Sequence, residues 1–327
     1  MRKEQKLSKN YQKGEKFERI VGSLNNQLEV SQTEFLENKE EKYPTIHILG
    51  APRSGTTLVS QLIPSFLEVA HINNFIAAFW KAPIYGIELS KKLIGKEYRS
   101  AFSSDFGRTN AINEPHEFGY FWNYHLKYDS LQQKTNSHEK LINWNQLALL
   151  INNMTDSFAK PIVFKSFLLG FHASIFFKNL PKSKFIYVKR NLEDNVISLI
   201  KLRKKLNGDV NIWGSIKPRQ YEKLKDLNIY EQIVGQILCL ENEYINQLND
   251  IPENNVIITT YEKICENPDN FLTLINKSFL GQGNSSALNK VPPLSNNNGK
   301  IDSIELKKIG NAKKNILKLF PELNSIY

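Results

Sequence analysis

Short apolar runs rich in β-branched and aromatic residues recur along the chain and are typical of buried strands. The first is TIHILG at 45–50, and later runs are KPIVFKS at 160–166, SKFIYVKR at 183–190 and NVIITTYEKI at 255–264. The segment EVAHINNFIAAFW at 68–80 predicts a further strand, then a loop that enters a helix. We interpret these runs as the strands of one sheet.

Between the predicted strands, apolar residues recur at helical spacing. Helices are predicted from TTLVSQLI at 56–63 and over 144–158, 191–206 and 230–248, with a final helix near the end of the chain. Asn191 is placed to cap one of them. Strands that alternate with helices indicate βαβ units. The predicted fold is therefore α/β, with three layers in which a central, mainly parallel sheet is flanked by helices.

The first 40 residues differ in character from the rest of the chain. They are polar and rich in Lys, Glu and Gln, which predicts a solvated helix or a loose arm. With 327 residues, of which 41% are hydrophobic, the chain is long enough to bury a sizeable core. We therefore expect an N-terminal arm over 1–40 and a single folded domain over 41–327.

Composition narrows the function classes without choosing one. The formal charge of +10 favours anionic ligands, but the basic residues are spread along the chain and form no nucleic-acid-binding motif. No apolar run reaches the roughly 18 residues of a membrane span, and the charged N-terminus is unlike a secretory signal. Two cysteines indicate no disulfide framework. We expect a cytoplasmic protein, and abundant Lys, Asn and Ile favour a bacterial source.

The sequence GAPRSGTTL at 50–58 joins the first strand to the first helix. Its glycines permit a tight turn, and backbone N–H groups at the helix N-terminus bind anions. Arg53 adds a guanidinium fork, and the hydroxyls of Ser54, Thr56 and Thr57 add donors. Gly55 is followed by threonine, whereas the ordinary nucleotide-binding loop has lysine there. The loop therefore predicts an anion site that differs from a triphosphate site.

GAPRSGTTL resembles the 5′-phosphosulfate loop of the sulfotransferase family, whose co-substrate is 3′-phosphoadenosine 5′-phosphosulfate (PAPS). Its sequence is similar to the corresponding loops of the tyrosylprotein and bacterial carbohydrate branches. KFIYVKRNLEDNVISL at 184–199 resembles the family's strand–Arg–helix–Ser element. The resemblance implies that residues 53–57 hold the 5′-phosphosulfate. It also implies that Arg190 and Ser198 hold the 3′-phosphate, and that the three layers form a P-loop-like fold.

Weaker similarities extend over about residues 45–300. KPIVFKS resembles the strand that ends in a lysine near the transferring sulfonate, which here is Lys165. IITTYEKICENP at 257–268 resembles a late family strand, in which Tyr261 either touches the nucleotide or packs in the core. Lys300 is a candidate to close over the 3′-phosphate. A sulfonate carries less charge than a γ-phosphate, so we expect neither a metal ion nor a loop lysine.

The general base of better-known relatives has no counterpart here. The cytosolic branch places histidine two residues after its lysine, where this chain has Phe167, and the glutamate of the tyrosylprotein branch is replaced by NN at 73–74. The segment NEPHEFGYFW at 113–122 offers Glu114, His116 and Glu117 among aromatic residues. Desolvation there would raise the pKa of a carboxyl group. We take Glu117 as the first candidate and His116 as the second, with Lys165 and Arg53 stabilising charge.

Ordinary structural roles compete with these assignments. Glu114 also fits a turn or cap residue, and His116 a local hydrogen-bonding residue. His47 lies inside the first strand and is expected to be structural, while His125 and His172 have no motif behind them. The aromatic side chains near 80 and 118–122 predict either a core or a platform for sugar rings, namely Trp80, Phe118, Tyr120, Phe121 and Trp122.

The prediction is sulfuryl transfer from PAPS to a hydroxyl of a carbohydrate or glycolipid acceptor, by in-line displacement with a general base. Segments 68–128 and 207–230 are expected to shape the acceptor pocket, and peripheral contact with membrane-linked glycans is expected. The alternative is a P-loop nucleotide or small-molecule kinase with a degenerate loop, which predicts an aspartate at the end of a strand. A module that binds nucleic acid is the third class, and no motif supports it.

Overall fold

A computed structural model describes residues 14–95, 98–281, 291–294 and 301–325. The strands are β1 (Thr45–Leu49), β2 (Ala70–His71), β3 (Ile162–Lys165), β4 (Lys184–Lys189) and β5 (Val256–Thr260). The helices are α1 (Glu15–Gln32), α2 (Thr56–Phe66), α3 (Asn74–Ala77), α4 (Pro83–Leu93), α5 (Gly119–His125), α6 (Trp144–Phe158), α7 (Ala173–Asn179), α8 (Leu192–Asn207), α9 (Tyr221–Leu224), α10 (Ile229–Asn249), α11 (Tyr261–Glu266), α12 (Pro268–Phe279) and α13 (Ser303–Leu319).

The five strands form one sheet in the order β2-β3-β1-β4-β5, and every pairing is parallel. The chain leaves β1 towards β2 and β3, and then returns across β1 to build β4 and β5. Strand β1 is therefore the point where the strand order reverses, and ligands of such sheets bind at the carboxyl ends of the strands there. The predicted α/β fold with a central parallel sheet is confirmed.

Helices cover both faces of the sheet because its strands are apolar on both sides. On one face Ile46 and Ile48 pack with apolar residues of α2 and α12. On the other face Leu49 and Phe164 pack with residues of α5, α6, α7 and α10. A third cluster joins α8, α10 and α13. The sheet is thus the middle of three layers, as the alternating pattern predicts.

The N-terminal arm contributes α1, whose contacts with α3 and α4 are polar. The buried Asn25 amide donates to Ala78 O at 2.7 Å, and its Oδ1 accepts from Lys81 N at 2.8 Å. Gln32 is also buried, and its Oε1 accepts from Ile84 N at 2.9 Å. These amides replace the apolar stripe that a packed helix usually carries. Within the described ranges, no helix has the length and apolar character needed to cross a membrane.

His47 lies at the centre of the sheet and is a structural residue. Its ring stacks between the cross-strand neighbours Phe164 and Phe185, at centroid distances of 5.3 and 5.4 Å. Nε2 is 2.8 Å from Thr45 Oγ1. Burial lowers the pKa of His47 to about 3. The imidazole is therefore neutral in the folded protein near neutral pH, far from the carboxyl end of the sheet.

The lowered pKa of His47 predicts a specific acid sensitivity of the fold. Below pH 6.5 or so the unfolded chain protonates this ring, whereas the folded protein does not until pH about 3. Stability that is complete above pH 6.5 is therefore lost as the pH falls, by about 1.4 kcal/mol per pH unit for this group. In His47→Gln, the change of unfolding free energy with pH between pH 6 and pH 4 should be smaller by about 1.4 kcal/mol per pH unit. This difference corresponds to one fewer proton taken up on unfolding. Urea unfolding at several pH values measures it, and equal slopes in both proteins would contradict the assignment.

Candidate active site

The loop between β1 and α2 is so closely packed that two of its glycines have no room for a side chain. A Cβ on Gly50 would lie 2.4 Å from Ser54 Oγ and 2.6 Å from Val188 O. Gly55 has φ of 97°, and a Cβ there would lie 2.3 Å from Tyr261 Cδ2. Arg53 also has a positive φ of 70°, which non-glycine residues adopt chiefly where the surroundings impose it. The loop therefore places the first residues of α2, Thr56 and Thr57, in the wall of the cleft beyond the sheet.

Lys165 lies at the end of β3, beside the loop. Strand register pairs it with Ile48 of β1, and its side chain is only 6% exposed. Nζ donates to Thr57 Oγ1 at 2.7 Å and forms an ion pair with Glu117 Oε1 at 2.6 Å. One buried ammonium therefore joins a hydroxyl of the anion loop to a carboxylate on the opposite wall of the cleft.

Two arginines and a serine meet at the other side of the loop. Arg53 Nε donates to Ser198 Oγ of α8 at 3.1 Å, and Arg190 Nη1 donates to Arg53 O at 3.1 Å. The Arg190 guanidinium also lies 4.7 Å from the ring centroid of Tyr261. Burial, and then the charge of Arg190, lower the pKa of Arg53. Two guanidiniums held together in this way favour an anion between them.

Glu114 belongs to the scaffold of the cleft. Its side chain is 6% exposed, and its carboxylate accepts hydrogen bonds from four groups. These are Gln61 Nε2 at 2.8 Å, Tyr98 OH at 2.8 Å, Ser100 Oγ at 3.0 Å and Ala101 N at 3.3 Å. Both carboxylate oxygens are engaged by these donors, so Glu114 fits the structural alternative.

His116 and Glu117 both line the cleft, next to Lys165. His116 Nδ1 accepts from Phe118 N at 2.8 Å, which fixes the ring against its own backbone. Glu117 is 41% exposed on its side chain, so a carboxylate oxygen remains accessible from the cleft while the other contacts the lysine. Of the two candidates for the base, Glu117 is therefore the better placed to meet an acceptor.

The other sequence candidates lie away from the cleft or in its walls. His172 is buried between Tyr128 OH and Glu139 Oε1, each 2.9 Å away. Burial lowers the pKa of His125 to about 4. Phe118, Phe121 and Trp122 are core residues, and none of the aromatic residues predicted as a sugar platform borders the cleft within the described chain: Trp80, Phe118, Tyr120, Phe121 and Trp122.

The cleft has a volume of about 2240 Å³ and runs from the loop to segments far along the chain. Its walls include parts of the segments 101–110, 115–119, 130–132 and 206–225, most of which fall within the two segments expected to shape an acceptor pocket. Tyr261 borders it too, so this residue both packs on the loop and faces the cleft. Lys300 lies outside the described residues.

Sequence reasoning included residues 103–109 in a predicted acceptor-pocket segment but did not predict that they cross the loop. Thr57 Oγ1 donates to Gly107 O at 3.5 Å, and the Phe106 ring centroid lies 5.2 Å from the Arg53 guanidinium. No local signal in SDFGRTN marks this role, because the contact joins residues 50 positions apart. The pattern DFG-R at 105–108, with glycine in a short polar run, indicates only a turn.

The comparisons with known proteins agree with this geometry. A family model described as "Sulfotransferase family" matches residues 44–279, which is most of the chain and includes the loop, Glu117, Lys165, Arg190 and Ser198. The chain belongs to the sulfotransferase family. No curated protein matches it. The kinase alternative loses support, because β3, β4 and β5 end in Lys165, Lys189 and Thr260, with no aspartate at these three ends.

Solved structures that the chain resembles are also sulfotransferases. STF1 from Mycobacterium tuberculosis H37Rv is 11% identical over 92% of this chain and 81% of that one, with a TM-score of 0.49. STF9 from Mycobacterium avium is 12% identical over 95% and 80%, with a TM-score of 0.46. The sulfotransferase domain from the curacin biosynthetic pathway is 15% identical over 75% and 76%, with a TM-score of 0.40. At these similarities we draw no conclusion about substrate or residue roles.

The close approach of Tyr261 to the loop predicts the effect of Gly55→Ala. The added methyl meets the tyrosine ring, and φ of 97° is strained for alanine. We expect a loss of about 1–3 kcal/mol in unfolding free energy, measured by urea denaturation. Gly22→Ala in α1 is the matched control, because no atom lies within 4 Å of the added Cβ. It should be neutral or slightly stabilising, and an equal loss in both variants would contradict the packing argument.

Proposed function

We propose that this sulfotransferase moves a sulfuryl group from PAPS to a hydroxyl of a carbohydrate or glycolipid acceptor. The observation that carries the proposal is the contact of Lys165 with both Thr57 and Glu117. One buried cation thereby touches the anion loop and a carboxylate that faces the rest of the cleft. Group transfer to a hydroxyl needs charge stabilisation on one side and a proton acceptor on the other.

The residues around the loop fit a nucleotide phosphosulfate. The Ser54 hydroxyl is buried and has no hydrogen-bond partner among the residues that the structure describes, as a group that awaits a ligand oxygen would be. The hydroxyls of Thr56 and Thr57 and the Arg53 guanidinium would hold the 5′ end, with the amides that begin α2. Arg190 and Ser198 would hold the 3′-phosphate. When bound, PAPS supplies the activated sulfuryl group.

The proposed catalytic residues have two roles, stabilisation of negative charge and acceptance of a proton. Lys165 and Arg53 stabilise negative charge at the transferred group and on the leaving phosphate, because both are cations held in a largely desolvated position. Glu117 takes the proton of the acceptor hydroxyl, with His116 as the second candidate for this role. By analogy with phosphoryl transfer, positioning and electrostatics supply most of the rate. No step is assigned to a metal ion.

Two features support a saccharide acceptor, namely the residues of the loop and the size of the cleft. GAPRSGTTL is similar to the loops of bacterial carbohydrate and tyrosylprotein branches, and a cleft of about 2240 Å³ has room for a saccharide beside the donor. A bacterial cytoplasm, where activated sugars and lipid-linked glycans are made, would supply such hydroxyls. Membrane-linked acceptors would be met by peripheral contact.

Binding of adenosine 3′,5′-bisphosphate tests the nucleotide site directly. Calorimetric titration in the presence of chelator should show micromolar binding to the wild-type protein. Arg190→Ala should weaken it by about 10- to 100-fold, the size of a charge-assisted hydrogen bond to phosphate. Arg99→Ala, which removes an exposed arginine, is the control and should bind normally. A folded wild-type protein that ignores the bisphosphate and binds ATP with magnesium would overturn the proposal.

Substitutions of Glu117 and His116 test which of the two residues is the general base. Once a screen of saccharides and lipid-linked glycans with radiolabelled PAPS finds an acceptor, Glu117→Gln should lower kcat by about 10²- to 10⁴-fold. The affinity for adenosine 3′,5′-bisphosphate should change little, because the loop and both arginines remain. The measurement is the single-turnover rate of label transfer. A larger loss in His116→Gln than in Glu117→Gln would move the proton acceptor to the histidine.

A further inference from the structure

Residues between 213 and 221 line part of the cleft, here called the aromatic wall, and none of them is assigned to the donor. The rings of Trp213 and Tyr221 meet edge to face, with centroids 4.8 Å apart. A cation lies against each ring. The Arg203 guanidinium is 4.5 Å from the Trp213 centroid, and Lys217 Nζ is 4.1 Å from the Tyr221 centroid. The wall therefore combines aromatic surface with two positive charges.

Arg203 of α8 is fully buried, yet no carboxylate of the described chain lies within ion-pair distance of it. Nη1 donates to Gln232 Oε1 at 2.7 Å, and Nη2 donates to Gln236 Oε1 at 3.1 Å. Burial lowers the pKa of Arg203 to about 10, so the guanidinium stays charged near neutral pH. A buried cation that no anion neutralises makes the electrostatic potential at the neighbouring wall more positive.

The same buried network fixes the backbone of the aromatic wall. Gln236 Nε2 donates to Gly214 O at 3.0 Å and to Ile216 O at 2.7 Å, while its Oε1 accepts from Arg203. Between those two carbonyls lies Ser215, which borders the cleft and has φ of 66°. Non-glycine residues keep this conformation chiefly where the surroundings impose it. The wall is therefore held in place before any ligand arrives.

Lys217 presents a cation to the cleft that no carboxylate of the described chain neutralises. Its backbone is fixed, because Lys217 N donates to Leu131 O and Lys217 O accepts from Gln133 N, each at 2.8 Å. Cleft-lining carboxylates of the surrounding segments have other partners: Glu222 contacts Lys225 Nζ at 2.6 Å, Glu305 accepts from Tyr230 OH at 2.7 Å, and Asp302 accepts from Ile304 N at 3.0 Å.

We infer that the aromatic wall binds the acceptor and that the acceptor carries an anionic group, which pairs with Lys217; this inference rests on the proposed function. Ligand pockets offer apolar contact area together with a few polar groups that fix the ligand's orientation. Here Trp213 and Tyr221 supply the area, and Lys217 supplies the polar group, with the charge of Arg203 behind it. A carboxylate, a sulfate or a phosphate would serve, because each accepts charge-assisted hydrogen bonds from an ammonium.

A saccharide array tests the charge of the acceptor. It holds saccharides of matched backbone in neutral, carboxylated, sulfated and phosphorylated forms, and the labelled protein is applied in chelator with saturating adenosine 3′,5′-bisphosphate. The wild-type protein should bind at least one anionic form more strongly than its neutral counterpart. Lys217→Gln should lose this preference, and Lys217→Arg should keep it. Lys223→Gln is the matched control, because it removes an exposed lysine of α9 that lies outside the described lining of the cleft.

Calorimetry on the best-bound anionic saccharide and its neutral counterpart measures the size of the effect. Removal of the anionic group should raise the Kd of the wild-type protein about 10-fold, the size of one charge-assisted hydrogen bond. In Lys217→Gln the same removal should change the Kd by less than about twofold, because the two changes delete one interaction. The Kd for adenosine 3′,5′-bisphosphate should be equal in both proteins, because Lys217 is not assigned to the donor.

An anionic preference that survives in Lys217→Gln would overturn the inference, since the positive charge of the whole protein would then explain it. Equal binding of neutral and anionic forms by the wild-type protein, or no binding anywhere on the array, would overturn it as well. Weaker binding of the bisphosphate to Lys217→Gln would move the residue to the donor site, with the same consequence. A wild-type protein that does not bind the bisphosphate would instead refute the proposed function.

Discussion

A buried ammonium group needs a carboxylate, and the site is organised around that need. Lys165 lies at the end of a central strand, where its side chain is almost fully removed from water. Leaving such a charge unpaired would be costly, and removing one partner of a buried pair is strongly destabilising. Glu117 meets the requirement from the segment before α5, while Thr57 accepts a second hydrogen bond. Lys165 therefore links the loop after β1 to the segment before α5 and holds the two close together.

The loop itself carries one cation, Arg53, and the ends of two strands of the sheet supply two more. Parallel strands end at one rim, so Lys165 from β3 and Arg190 after β4 arrive beside a loop that follows β1. Arg53 and Arg190 then lie close enough that each opposes the charge of the other, and the pKa of Arg53 is lowered in part for this reason. An anion placed between the two guanidiniums relieves this repulsion, which favours its binding.

Much of the fold could be predicted from sequence because its signals are local. TIHILG forms β1, 144–158 forms α6, and the Asn191 side chain accepts from Asp194 N as a cap. Helix α1 was harder to place, since its buried residues are amides that look solvated in a sequence. The segment 103–109 left no local signal of its position across the loop, because the contact between Thr57 and Gly107 joins residues 50 positions apart. Arg53 and Ser198 are 145 positions apart, and only the order of strands brings them together.

The contacts from Glu117 through Lys165 and Thr57 to Gly107 form one continuous path across the cleft. Each member shares a proton or a charge with the next, so a new partner at one position weakens the bond beside it. Under the proposed function, an anion near Thr57 would draw on the same ammonium that neutralises Glu117. Arrival of the donor at one end of the path would then loosen the ion pair at the other, although no residue of the loop touches Glu117 through a hydrogen bond of its own.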